Sequence, residues 1–129
     1  MARKPSVKTA RDRARRAMSI YIRTKHSVDG FCRCVGCNRW FPIKEMDAGH
    51  FIPKGRSAAL EFMEENVWPE CMGCNRFDDR HLVSYTLHMI DTYGREFVES
   101  LKNNRDTVKR YVQDYLDIEA EYKQKLADL

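Results

Sequence analysis

The chain lacks any apolar run approaching the roughly 20 residues that span a bilayer as a helix. Its Arg-rich start lacks the apolar segment of a signal peptide, so neither secretion nor a membrane partner is expected. Repeats and low-complexity stretches are missing too. Acid is scarce at one end: residues 1–25 hold nine Lys or Arg against the single Asp12, although the whole chain carries only +4. An acid-poor, Arg-rich start also suits a transit peptide, but a helical stripe within it marks it as part of the fold. Cysteine is not scarce, but its count of five is odd. That argues against a closed disulfide framework and for thiolates kept reduced in a cytoplasm. With 129 residues, 43% of them hydrophobic, a single domain with a small core is expected. A structural metal is a natural supplement at this size.

The cysteines supply one. Cys34-Val35-Gly36-Cys37 and Cys71-Met72-Gly73-Cys74 are two Cys-x-x-Cys turns, each able to aim both sulfurs at one tetrahedral zinc ion. Cys32 is the spare, without an x-x turn of its own. The pairs lie further apart than the usual spacing of about 15–20 residues. The added length carries Asp47, His50, Lys54, Arg56 and Asn66. Zinc would therefore staple the base of a chemically equipped loop.

Before the staple, Val7, Ala10, Ala14, Met18, Tyr21 and Ile22 recur three or four residues apart. This predicts a helix from about Ser6 to Ser27, with Pro5 at its entry. Arg11, Arg13, Arg15, Arg16 and Arg23 mostly cover its other sides. With one local acid to pair them, contacts to nucleic-acid phosphates are favoured over a merely solvated face. Phe31 to Phe41 reads as a knuckle plus strand, with Trp40 and Phe41 as core candidates. His50 lies three residues after Asp47, and an imidazole near neutral pKa can take a proton from water, as phosphodiester hydrolysis requires. Lys54 and Arg56 are either surface charge or phosphate clamps. Asn66 is expected to bond nearby backbone, and Trp68 to pack beside the zinc.

Asn75, with Arg76 beside it, opens a helical pattern through Tyr93. Its amide is either a cap or an oxygen for a divalent cation. Asp78 and Asp79 read as first-turn acids, and His81 and His88 as structural or exposed. A helix over 95–103 and a final one from about Asp106 follow. The last carries Val108, Tyr111, Tyr115, Ile118, Tyr122 and Leu129 on a 3/4 repeat, which is either a domain cover or a dimer face.

These motifs resemble a known family. Cys-x-x-Cys, Asp-Ala-Gly-His-Phe, an Asn sixteen residues after the His, and Cys-x-x-Cys-Asn resemble the zinc-stapled HNH (His-Me finger) endonucleases. With Asn66-Val67-Trp68-Pro69-Glu70 and Leu82-Val83-Ser84-Tyr85 the chain resembles the phage NinG/Rap recombination nucleases over about residues 7–103. The resemblance implies an α+β fold: a small ββα-metal core over 29–93, a basic helix over 1–28 and a helical extension over 94–129. It makes His50 the general base and Asn66 the residue that orients the loop. Asn75, with Asp47, would hold catalytic Mg²⁺ or Mn²⁺ apart from the zinc. Where many relatives have an acid just before the His, this chain has Gly49, so Asp47 either ligates the metal or orients His50. Branched DNA (Holliday junctions, D-loops) is the implied substrate, in a bacterial host cytoplasm. Lys54, Arg56, Arg76, Arg11, Arg15 and Arg16 are the expected DNA contacts. Paired cuts would suit a homodimer. The competing reading is a non-catalytic zinc-ribbon module that binds nucleic acid.

Overall fold

The computed structural model describes residues 3–77 and 81–129. Asp78 and Asp79 lie outside the described residues. Helix α1 (Val7–Lys25) starts where Ser6 caps the Thr9 amide at 3.1 Å. A short hairpin follows, β1 (Phe31–Arg33) against β2 (Trp40–Pro42), then a second, β3 (Met46–His50) against β4 (Val67–Cys71). Strand β4 runs straight into α2 (Met72–Phe77), and α3 (His81–Tyr93), α4 (Arg95–Asn103) and α5 (Val112–Ala127) complete the chain.

The β3–β4 hairpin is the central layer. Strand alternation sends Ala48 and Val67 to one face, where they meet Ala17, Met18, Tyr21 and Ile22 of α1 and Tyr122 of α5. Trp68 leaves the other face and packs on a cluster built from Phe51, Ile52, Leu60, Tyr85, Met89, Val98 and Leu101. Its neighbours are His26, stacked at 4.0 Å, and His88, edge-on at 4.2 Å, rather than the cysteines. Burial in this stack drives the His26 pKa down to about 4. The α1 stripe is buried as its spacing predicts, apart from exposed Val7.

Helix α5 covers α1, so its tyrosine seam works within the chain. Tyr115 meets Ala10 and Ala14, Tyr122 meets Tyr21, and Lys25 and Lys125 share Glu64, so the two helices run in the same direction. The helix begins at Val112, later than the expected Asp106. Asp114 caps the Tyr111 amide at 2.7 Å, while Arg110 donates to the Ala58 carbonyl and Ser57 to Asn104 and the Asp106 carbonyl. Those bonds hold 104–111 against the loop instead of in a helical turn. Val108 and Tyr111 are accordingly exposed, and Leu129, beyond the end of α5, is exposed as well. Trp40, expected in the core, is 54% exposed because the hairpin register places it opposite exposed Arg33, on the face away from buried Cys32.

Candidate functional site: a cysteine cluster beside a histidine cleft

The four Cys34, Cys37, Cys71 and Cys74 sulfurs lie within 4.8 Å of one another. Cys37 and Cys71 sulfurs are 4.0 Å apart, against about 3.8 Å for a tetrahedral ion with Zn–S bonds of about 2.3 Å. Backbone amides point at the sulfurs: Gly36, Cys37 and Cys71 donate to Cys34, and Cys74 donates to Cys71. Burial raises the Cys34 and Cys74 thiols, and neighbouring cysteines raise Cys74 further. Burial also opposes ionisation of Cys37, but hydrogen bonds from Arg39 outweigh it and bring the thiol to about 7. Crowded thiolates with amides aimed at them fit a divalent metal such as zinc. Gly36 makes the closure possible, since a Cβ there would lie 2.8 Å from the His81 Cβ and 2.9 Å from that of Cys74. Cys32 stands apart, fully buried, its thiol donating to the Arg23 carbonyl at 3.2 Å.

Across the hairpin, a cleft of about 920 Å³ crosses the unpaired edge of β3. It gathers Asp47, His50, Lys54, Arg56, Asn75, Arg76 and Arg15 from four separate stretches, and adds His81, expected to be structural or exposed, and Lys102, which sequence reasoning passed over. His50 closes β3, and its Nε2 donates to the Glu61 carbonyl at 2.8 Å. A carbonyl only accepts, so in the neutral imidazole Nε2 carries the proton and Nδ1 the lone pair. Burial, helped by Lys54, lowers the His50 pKa against the opposing pull of the Glu61 carbonyl. The ring therefore stays neutral at physiological pH.

The loop between the strands is fixed by Asn66, which is fully buried. Its Nδ2 donates to the Ile52 and Leu60 carbonyls, each at 3.1 Å, and its Oδ1 accepts from the Ile52 amide at 2.9 Å. The bonds to nearby backbone expected of its amide are present. Tyr85 adds a bond from its hydroxyl to the Gly49 carbonyl at 2.7 Å.

Of the two partners expected for Asp47, a cation or His50, the second is not the one it bonds. Its carboxylate receives Arg76 through two bonds of 2.9 Å and the Asn75 amide at 2.9 Å. The hydrogen bond to His50 does not form, because residues 47 and 50 leave opposite faces of β3. Asp47 instead sets the Asn75 amide, holding Nδ2 and leaving Oδ1 turned toward Gly49.

The basic helix is also more internally paired than its sequence shows. Arg15 binds Glu61 at 2.6 Å, tying α1 to the residue whose carbonyl holds His50. Arg13 pairs with Glu119, and Arg11 lies 5.8 Å over the Tyr115 ring. Arg16 is exposed and faces a small separate groove. Lys54 and Arg56 are exposed on the cleft rim.

Behind Gly49 lies Glu70, 1% exposed and directly across β4 from Asp47. Burial pushes its carboxyl up to about 7, with His81 opposing and Asp47 adding to the rise. Its Oε2 lies 3.1 Å from His81 Nε2.

The fold and site define a small α+β domain with a four-cysteine cluster able to hold a metal. Over residues 1–129 the chain matches the family described as Bacteriophage Lambda NinG protein, and it belongs to that family. It is 30% identical to protein ninG of Escherichia phage lambda over 116 residues, covering 90% of this chain and 55% of that protein. Protein ninG of Escherichia phage 933W is also 30% identical, over 90% of this chain and 56% of its own length. Protein ninG of Salmonella phage P22 is 28% identical, over 90% and 55%. The chain thus spans about half the length of the curated relatives it matches. No solved structure matches it. Among the described residues, no helix is long and apolar enough to cross a membrane.

Proposed function

We propose that this chain is a metal-dependent, HNH-type endodeoxyribonuclease acting on branched recombination intermediates such as Holliday junctions and D-loops. The observation that carries the reading is the His50 tautomer. With Nε2–H held by the Glu61 carbonyl, the Nδ1 lone pair is the ring's available base. His50 takes a proton from water through Nδ1, the water oxygen bonds to phosphorus, and the bond from phosphorus to the departing sugar oxygen breaks. Lys54 and Arg56, with Lys102 beside them, steady the phosphate from the cleft rim. Asn66 keeps the loop rigid enough to hold the Glu61 carbonyl in place. The order of a β3–β4 hairpin followed at once by α2 supports a ββα core. Mg²⁺ or Mn²⁺ would be held by the Asn75 Oδ1, and such an ion offsets charge on the phosphate and on the leaving oxygen. The branched-DNA preference rests on the resemblance of the motifs. Two copies would cut opposing strands, and since the α5 seam is occupied by α1, they would meet through another face.

The test is cleavage of labelled DNA in Mg²⁺ or Mn²⁺ by wild type and His50→Ala. A four-way junction, a flap and a D-loop are set beside linear duplex and single strand. Wild type is expected to cut branched forms preferentially, and His50→Ala to bind without cutting. Because the base must be neutral, the rate should rise with pH through a midpoint below the ordinary histidine value of about 6.5. Binding by both proteins with cleavage by neither would instead identify a zinc-ribbon nucleic-acid module.

A further inference from the structure

Glu70 is a carboxylate in an unusual place. It is 1% exposed, and its Oε2 accepts no hydrogen bond among the described residues. An orphaned buried carboxylate oxygen is costly unless something absent from the chain satisfies it. His81 Nε2 lies 3.1 Å from that oxygen, without the alignment of a hydrogen bond. Two ligand atoms at that separation, each about 2.1 Å from one ion, subtend an angle of about 95°, near the right angle of octahedral coordination.

Gly49 shows where the carboxylate has come from. A Cβ added there would overlap Glu70 Oε1 outright and lie 3.1 Å from Asn75 Oδ1. The side chain of residue 70 therefore fills the volume into which a side chain at residue 49 would project. The Asn75 oxygen converges on the same volume, because Asp47 holds the other end of its amide. The Glu70 carboxylate thus has the Asn75 amide oxygen on the Gly49 side and the His81 imidazole nitrogen on the other. That is a mixed O/N donor set suited to Mg²⁺ or Mn²⁺ rather than to a second thiolate metal.

We propose that Glu70, His81 and Asn75 form a divalent-cation site beside Gly49, with the β4 carboxylate standing in for one on β3. The inference takes the endonuclease reading as the site's purpose, but its existence can be tested without DNA. Zinc-loaded protein is titrated with Mn²⁺ alone, free Mn²⁺ being read by electron paramagnetic resonance, with zinc content and circular dichroism confirming the fold of each variant. Wild type should take up one Mn²⁺ per chain beyond the cysteine-bound zinc. Glu70→Gln keeps the side-chain shape, and His81→Ala lies at the rim where it disturbs packing less. Each should weaken Mn²⁺ at least ~10-fold, the lower end of what even the outer partners of a metal cost. The sharper test exchanges the two positions. Glu70→Ala should lose the ion, and Gly49→Asp added to Glu70→Ala should recover it, a rescue that a purely structural Glu70 would not produce.

Unchanged Mn²⁺ affinity in both Glu70→Gln and His81→Ala would overturn the site. So would a double variant that binds no better than Glu70→Ala. The two readings fail separately. Glu70-dependent Mn²⁺ binding by a protein that cuts no DNA keeps the site and removes the nuclease. Cleavage by a protein whose Glu70→Gln form binds Mn²⁺ normally does the reverse.

Discussion

The two ends of the β3–β4 hairpin hold polar side chains in opposite ways. At the Met46–Cys71 end, four sulfurs crowd together with backbone amides aimed at them. Arg39 brings one positive charge to the cluster through its bonds to Cys37, which leaves four sulfurs to a single guanidinium. At the His50–Val67 end, Asn66 meets the Ile52 and Leu60 backbone directly, and Glu61 meets both Arg15 and His50. One end is arranged to take an ion, whereas the other carries its own partners. The difference teaches that a chain this small can shape one end as a site for a metal while building a rigid loop from a buried amide at the other.

The largest expected effect comes from breaking the cysteine end. A structural zinc contributes on the order of 10 kcal/mol, comparable to the whole stability of a small domain. Chelation, or Cys71→Ser, should abolish cooperative thermal unfolding followed by circular dichroism. A melt indifferent to chelator would remove the contrast between the ends. Breaking the other end should cost less. Asn66→Ala orphans the Ile52 amide and two carbonyls, for a loss of about 3–5 kcal/mol with zinc still bound. Urea midpoints measure it, and a loss under about 1 kcal/mol would mean that water or a loop shift replaces the amide.

The smallest effect concerns Glu64, on the outer side of the same loop. Burial raises its carboxyl, but Lys25, Tyr21 and Lys125 outweigh it and hold the pKa at about 2, below the ordinary 4.5. A depressed carboxylate stabilises the fold above its unfolded value, and that contribution fades as pH falls from 4.5 toward 2. Glu64→Gln should be less stable than wild type by about 1 kcal/mol at neutral pH. The gap should close in acid. A gap that stays constant with pH would show that shape, not charge, ties Glu64 to α1 and α5.

Much of this was legible in the sequence because it is local. The Cys-x-x-Cys turns, the α1 stripe and the 95–103 helix each follow from spacing within a few residues. The gathering of His50, Asn75, Lys54 and Arg56 in one cleft followed from the motifs. What escaped depends on partners distant in sequence. Arg13 and Arg15 find their acids 106 and 46 residues away, so a count of local charge overstated the free guanidinium groups. The tyrosine repeat did not reveal that the backbone of 104–111 would bond the 57–59 loop. Glu70 was the hardest. It looks like a strand residue beside a cysteine, and only the pairing of Asp47 with Glu70, together with the missing Cβ of Gly49, exposes its place.

The parallel seating of α5 on α1 sets an order of events in synthesis. The alanine face of α1 emerges from the ribosome well before the tyrosines that cover it, with contacts such as Arg13–Glu119 closing 106 residues of chain. Such closures are slow, and until they occur the uncovered face is open to misassociation. The cysteine turns can meet as soon as α2 has been made. Capture of a metal there would precede the final docking, and a nascent chain deprived of it would present an unclosed hairpin and a bare helix together.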